Sequence, residues 1–119
     1  MMILLDNGHG GVIDGVYQTS GKRSPIWSDG SQLLEGVFNR EITSILEELC
    51  ISNGIECELI APELTDVSLK ERTLRANKIY RERKDAILIS IHANGFSKES
   101  ANGFEIFTSK GVTKSDAIA

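Results

Sequence analysis

The chain has 119 residues, which is enough for one domain with its own core and too few for two. Its net charge is −4 and its pI is near 5.2, so we expect no nucleic-acid partner, since a general phosphate-backbone binder needs a basic patch. No run approaches the ~20 apolar residues of a membrane span, so we expect no membrane partner either. The first apolar run begins at residue 2, which leaves no room for a signal peptide before it; export would need a route that this chain does not encode.

The two cysteines, Cys50 and Cys57, are too few for a disulfide framework. One lies on the apolar side of a predicted helix and the other inside a predicted strand. These positions favour core packing over a redox role.

The N-terminal segment predicts a buried strand that ends in a functional turn. Residues 2–5 are apolar, and the polar, glycine-rich turn after them carries His9. Residues 11–34 show no clear period and are interpreted as a long loop, a feature that is usually functional or disordered in a compact domain. Tyr17 and Trp27 are predicted to pin this loop onto the core, with a wall of a substrate groove as the alternative.

The middle of the chain predicts two helices separated by a short strand. A helix begins at Glu35, and Gly54 lies just past its end. Alternating apolar and acidic residues over 55–59 predict a short strand near a sheet edge. Ser68 and Glu71 form a capping-box pattern at the start of the second helix.

The last third predicts two more strands. Residues 86–92 are almost entirely apolar, which is typical of a strand covered on both faces, and this strand ends in His92. Residues 104–107 predict a fourth strand, and residues 111–119 a turn followed by the start of a helix with Ser115 as its cap. This alternation predicts an α/β fold with a mainly parallel twisted sheet and helices on both faces.

The two histidines indicate a metal site. In open α/β sheets ligands bind beyond the carboxyl ends of the strands, so His9 and His92 reach one pocket if their strands are parallel neighbours. A catalytic zinc commonly takes three His or carboxylate ligands, and Glu35 at the helix start is the best placed third candidate.

Three other acids compete for the third position: Asp6, Asp14 and Asp29. Asp6 could instead orient His9 through a hydrogen bond, as metal-binding histidines usually require. Spacing alone does not name the metal, since two imidazoles and a carboxylate also hold iron or copper.

Other catalytic motifs do not fit. Residues 8–13 lack the third glycine of the dinucleotide fingerprint and do not run directly into a helix. The chain contains no phosphate-binding Gly-Lys-Ser/Thr signature, no His-Glu-x-x-His and no Gly-x-Ser-x-Gly elbow.

These residues resemble a known family, the zinc-dependent N-acetylmuramoyl-L-alanine amidases of the bacterial cell wall, of the amidase-3 type. The resemblance spans nearly the whole chain. It rests on matching segments in matching order: Asp6 to Gly11, Glu35 with Asn39, Leu69 with Arg72, Ala76-Asn77, Ser90 to Asn94, and Gly103 with Glu105.

The resemblance implies that zinc is held by His9, Glu35 and His92. It further implies hydrolysis of the amide between the lactyl group of N-acetylmuramic acid and the L-alanine of the peptidoglycan stem peptide. In such a reaction a carboxylate takes the proton of the attacking water and passes it to the leaving amine. Asn94 would hydrogen-bond the substrate or fix its own loop.

The chain departs from the family pattern in two places. Asn7 stands where the family usually has proline, a change that the turn should tolerate. The family's catalytic glutamate lies in a Glu-x-Gly-Phe-like segment well beyond the second histidine, and no residue from 106 to 119 matches that segment. Glu105 corresponds to a different family position, so the family's general base is expected beyond residue 119 and Glu105 is kept only as a secondary candidate. Residues 1–119 are thus expected to form a single amidase catalytic domain that lacks the family's last helix and strands.

This interpretation leaves several functions open. The alternatives are a zinc-containing peptidoglycan-binding module without activity, and a metallohydrolase that acts on a small amide outside the cell wall. The absence of a signal peptide suits a phage lysin released by a separate lysis system, or a domain cut from an exported protein. An open sheet edge also predicts self-association with a second copy.

Overall fold

A computed structural model describes residues 1–98 and 100–119 of the chain. The elements in chain order are β1 (Met2–Asp6), β2 (Val12–Ile13), β3 (Val16–Tyr17), α1 (Glu35–Ser52), β4 (Cys57–Leu59), α2 (Leu69–Arg83), β5 (Ala86–Ser90) and a 3-10 helix (Lys114–Ala117).

A parallel three-stranded sheet in the order β4-β1-β5 forms the centre of the fold. Ile3 of β1 pairs with Cys57 of β4, and Asp6 of β1 lies opposite Ser90 of β5. In the sheet, β4 lies on one side of β1, and the chain then crosses over to place β5 on the other side. The carboxyl ends of β1 and β5 therefore border the switch point of the sheet. The predicted mainly parallel α/β architecture is confirmed.

The helices cover the two faces of the sheet. Right-handed crossovers in opposite directions place α1 and α2 on opposite sides. On the α2 side, Met2 and Leu4 form one buried cluster with Ile60, Ala76 and Ala86. Leu5 points to the other face of β1 and is also buried, on the side of α1.

The helix boundaries follow the predicted signals. Helix α1 begins at Glu35, and Gly54 just after its end has a φ of +67°, the left-handed conformation that glycine adopts easily. At the start of α2 the hydroxyl of Ser68 accepts a hydrogen bond from the backbone N–H of Glu71 at 3.2 Å. Helix α1 contains the buried Cys50, and Cys57 on β4 is half-buried; both are free thiols.

The predicted loop over residues 11–34 has more order than its sequence indicates. It contains the antiparallel pair β2–β3, and an isolated antiparallel bridge joins Arg23 to Leu34. The hydroxyl of Tyr17 donates to the carbonyl of Lys22 at 2.9 Å and accepts from the N–H of Gly36 at 2.8 Å, so Tyr17 pins the loop to the start of α1. Trp27 remains half exposed.

Two predictions for the last third are wrong. Residues 104–107 form no strand: they have no pairing partner in the described ranges, and the side chains of Phe104 and Phe107 are exposed. The C-terminal helix is capped by Thr113 rather than Ser115: the backbone N–H of Thr113 donates to the carboxylate of Asp116.

Strand β5 is also less covered than predicted. Its burial alternates, and Leu88 is 49% exposed, because within residues 1–98 and 100–119 β5 pairs only with β1. Among the described residues, none of the helices is long and apolar enough to cross a membrane.

Candidate metal centre

The site is built at the carboxyl ends of β1 and β5. Parallel pairing sets Asp6 beside Ser90, so His9 and His92 follow from adjacent strand ends. Gly8 between Asp6 and His9 has a φ of +74°, and a Cβ there would lie 2.7 Å from Cε1 of His92. Glycine therefore lets the turn after β1 pass directly against the second histidine.

Glu35 reaches the same place from the first residue of α1. The next residue, Gly36, lies against the backbone carbonyl of Gly10, and any side chain at that position would overlap it. The helix start is held by the loop: the N–H of Gly36 donates to the Tyr17 hydroxyl at 2.8 Å, and the N–H of Glu35 donates to the carbonyl of Lys22 at 3.0 Å. These contacts supply acceptors for backbone N–H groups at the start of α1, which has no side-chain cap.

The three predicted ligands converge. One ligand atom each of His9, Glu35 and His92 lies within 4.8 Å of the other two. Oε1 of Glu35 is 3.3 Å from Nε2 of His9 and 3.1 Å from Nδ1 of His92. Zinc-to-ligand bonds of ~2.0–2.1 Å in a tetrahedron place neighbouring ligand atoms roughly 3.3 Å apart, so these two separations suit one shared ion.

Among the described residues, one buried nitrogen of the cluster has no hydrogen-bond partner. Nε2 of His9 is buried and neither donates nor accepts a hydrogen bond there, although Oε1 of Glu35 is 3.3 Å away. A buried ring nitrogen without a partner costs free energy, and coordination would satisfy it. The donor set of two imidazoles and one carboxylate is one that catalytic zinc sites use. The residues present therefore fit a zinc ion.

The protonation states also suit metal binding. Burial lowers the pKa of His9 below its ordinary value, an effect that the nearby Glu35 carboxylate only partly offsets. Burial by itself raises the pKa of Glu35, but hydrogen bonds from His92 and from the N–H of Ala93 outweigh it, and the pKa of Glu35 is lowered overall. A neutral imidazole and an ionised carboxylate are the forms that bind metals.

Comparison with known proteins identifies the family. The N-acetylmuramoyl-L-alanine amidase family Amidase_3 matches residues 3–119. The chain belongs to the Amidase_3 family. A sequence comparison with curated proteins gives no significant match.

Two solved amidases are similar to this Amidase_3 chain. The catalytic domain of CwlV, an N-acetylmuramoyl-L-alanine amidase from Bacillus (Paenibacillus) polymyxa var. colistinus, is 25% identical with a TM-score of 0.56, over 86% of this chain and 50% of that one. The CwlD amidase of Clostridioides difficile, solved in complex with the GerS lipoprotein, is 26% identical with a TM-score of 0.55, over 84% of this chain and 51% of that one. The chain spans about half the length of these relatives.

Asp6 supports the Amidase_3 site through the turn after β1 and not through the His9 imidazole. Its carboxylate accepts hydrogen bonds from Nη1 of Arg72 at 2.6 Å, from the Ser90 hydroxyl at 2.9 Å and from the N–H of Gly8 at 3.0 Å. This buried hub ties β1 to β5 and α2. Asp6 therefore fixes the turn that carries His9, and its described contacts do not include the imidazole that we expected it to orient.

The other two acids that compete for the third ligand position lie in exposed turns. Asp14 is exposed in the β2–β3 turn with a φ of +50°. Asp29 is exposed and accepts hydrogen bonds from the backbone N–H and the hydroxyl of Ser31. Neither belongs to the ligand cluster of the described residues.

Three polar residues that the sequence analysis did not assign hold the His9 turn in place. The Asn7 amide donates to the carbonyl of Ala61 at 2.8 Å, and Asn39, fully buried, donates to the carbonyl of Asn7 at 3.2 Å. Arg40 donates to the carbonyl of His9 at 3.0 Å. The neighbours of these residues are distant in sequence, so helical periodicity carries no signal for them.

A cavity of about 450 Å³ opens beside the ligand cluster. Glu35, His92 and Asn94 are among the residues that line it. The Asn94 amide donates to Oε2 of the exposed Glu105 at 3.3 Å, so the structure holds the candidate general base against a residue of the cavity wall. The 21–25 segment of the long loop also lines the cavity.

Proposed function

We propose that this chain is the zinc-binding part of an N-acetylmuramoyl-L-alanine amidase that acts on the peptidoglycan of the cell wall. The observation that carries this proposal is the convergence of His9, Glu35 and His92 beside an open cavity in a member of the Amidase_3 family. We further propose that residues 1–119 belong to a single catalytic domain.

His9, Glu35 and His92 would hold the zinc ion. A bound zinc supplies Lewis-acid polarisation of the amide carbonyl and activation of a water molecule. The protein's contribution is to hold its three ligands in place before the ion arrives. The N–H of Ala93 holds Oε1 of Glu35 at 3.1 Å and fixes the orientation of that carboxylate.

Residues of the cavity wall would orient the substrate. The side chain of Asn94 lies at the cavity, where its amide can hydrogen-bond the backbone of the stem peptide. The scissile bond joins the lactyl carbonyl to the L-alanine nitrogen, so the peptide extends from the ligand cluster into the cavity.

Glu105 is our candidate for the proton transfers. Its carboxylate is exposed and is held by Asn94, within the same part of the site. In this role it would accept the proton of the attacking water and donate it to the leaving L-alanine amine. These transfers turn the poor amide leaving group into a neutral amine.

The test is product analysis on purified peptidoglycan by mass spectrometry, with added zinc and with a chelator. We expect free stem peptides that begin with L-alanine, and we expect their loss on chelation. Glu35→Gln should abolish them, whereas Glu41→Gln, an exposed acid on the same helix, should not.

Two results would contradict the proposal. The same products in the presence of chelator would show that the cluster does not carry the reaction. Absence of product from a chain that binds zinc would show that residues 1–119 are not catalytically competent and form an inactive fragment or a binding module.

A further inference from the structure

Two adjacent basic residues line the cavity beside the candidate metal centre. Lys22 and Arg23 line the same cavity as Glu35 and His92. In a chain with a net charge of −4, this pair makes a local positive region at the mouth of the site.

Among the described residues, no carboxylate neutralises the charges of this pair. Across residues 1–98 and 100–119, no carboxylate lies within 4.0 Å of a side-chain nitrogen of Lys22 or Arg23. Other arginines of the chain behave differently: Arg72, Arg75 and Arg83 each bind an acid. The two cations therefore remain free to bind an anion that enters the cavity.

The backbone of the pair is anchored to the metal centre. The carbonyl of Lys22 accepts from the Tyr17 hydroxyl and from the N–H of Glu35, and Arg23 bridges to Leu34. The guanidinium of Arg23 lies 5.3 Å from the centroid of the Tyr17 ring, a cation–π contact. This anchoring fixes the backbone of the pair relative to Glu35, and the two side chains are exposed.

We propose that Lys22 and Arg23 form a subsite for a carboxylate of the stem peptide, and that this subsite favours peptides whose second residue carries a free α-carboxylate. This inference rests on the proposed amidase function. In peptidoglycan the second residue is D-glutamate linked through its side chain, so its α-carboxyl is either free or amidated. That group lies about two residues from the scissile carbonyl, or about 7 Å in an extended chain.

The chemistry of the pair matches this ligand. A guanidinium presents a planar fork that binds a carboxylate with two hydrogen bonds, and an ammonium adds a second positive charge. An amide at the same position has no charge and presents donors toward the donors of the protein. Because both cations are exposed, we expect a preference of roughly tenfold rather than absolute selection.

The experiment uses the zinc-loaded chain and two synthetic substrates. Both are N-acetylmuramoyl tripeptides of the same sequence with a C-terminal amide, so they differ only in whether the α-carboxyl of the second residue is free or amidated. The amidated C-terminus removes the other carboxylate that could bind the subsite. We measure kcat/KM for both, and by calorimetry the affinity for the released tripeptides, which does not depend on turnover.

We expect the wild type to favour the carboxylate peptide about tenfold in kcat/KM and in affinity. The double variant Lys22→Met with Arg23→Met should lower this preference to less than twofold, while zinc content stays at the wild-type level. Lys78→Met, an exposed lysine of α2, serves as the matched control and should keep the full preference. Added salt should reduce the preference of the wild type.

The outcomes separate the two proposals. A wild type that cleaves both peptides equally overturns the subsite and leaves the amidase proposal in place. A double variant that keeps the wild-type preference overturns the assignment to these residues. A wild type that neither binds nor cleaves either peptide overturns the amidase proposal and the subsite with it.

Discussion

Replacing Asp6 by asparagine tests how strongly the buried ion pair stabilises the site. The side chain of Asp6 is 5% exposed and that of its partner Arg72 is 9% exposed. Asparagine keeps the size and retains an oxygen for the N–H of Gly8. In the wild type, the guanidinium of Arg72 and the hydroxyl of Ser90 both donate to Oδ2 of Asp6. In the variant, an NH₂ group faces these two donors and cannot accept from them. The variant thus leaves a buried positive charge without a counterion.

The expected loss is large for a domain of this size. Removing one partner of a buried ion pair typically costs about 3–5 kcal/mol, against a total stability of about 5–15 kcal/mol. The matched control is Glu56→Gln, which breaks the bidentate pair between Glu56 and Arg83. Both of those side chains are exposed, so water compensates for the lost contact and we expect little change.

Urea unfolding followed by circular dichroism measures both variants. A chelator is present throughout, so that metal binding does not add to the free energy of unfolding. We expect the midpoint of Asp6→Asn to fall far below that of the wild type, and the midpoint of Glu56→Gln to stay close to it. Equal midpoints for the two variants would refute the view that Asp6 is a structural hub of the site.

Four further predictions concern packing, metal, catalysis and assembly. Gly36→Ala should destabilise the chain by about 1–3 kcal/mol in urea because its Cβ overlaps the loop backbone, whereas Gly95→Ala, with open space around it, should not. Zinc at 100 times its Kd should stabilise the wild type by about 2.7 kcal/mol in thermal unfolding but leave His92→Ala unchanged; equal gains would contradict the ligand assignment. Glu105→Gln should lower kcat and leave zinc binding intact, and an unchanged kcat would exclude Glu105 as the base. The exposed edge of β5 should give a concentration-dependent dimer in sedimentation, weakened by Leu88→Lys, and a monomer at all concentrations would rule this out.

The position of the ligand cluster can be predicted from patterns that are visible in the amino-acid sequence. An apolar run that ends in a glycine-rich turn predicts a strand end, and parallel strands bring their carboxyl ends to one edge of a sheet. His9 and His92 therefore come together for a topological reason. Glu35 joins them because a helix begins where the long loop returns to the sheet.

The predictions that failed depend on neighbours that no local pattern encodes. The segment 104–107 has strand propensity, yet a strand also needs a partner for its backbone hydrogen bonds, and the described residues provide none. The apolar run of β5 indicates coverage on both faces, but Leu88 is exposed because the strand lies at an edge of the described sheet.

The polar residues around the His9 turn show the same limit. Asn7 looked like a tolerated replacement in a turn, whereas its buried amide binds the carbonyl of Ala61 across 54 positions of sequence. Arg40 looks like an ordinary surface residue of a helix, yet it binds the backbone of His9. Such long-range contacts become visible only when the fold is known.

The zinc content of the chain tests the central claim most directly. Wild type, His9→Ala and the exposed-acid control Glu41→Gln are dialysed against zinc, and the bound metal is measured by elemental analysis. We predict one zinc per chain for the wild type and the control, with X-ray absorption showing nitrogen and oxygen ligands at ~2.0–2.1 Å, and none for His9→Ala. Zinc that stays bound to His9→Ala at full stoichiometry, or a wild type that binds none, would contradict the proposed metal centre.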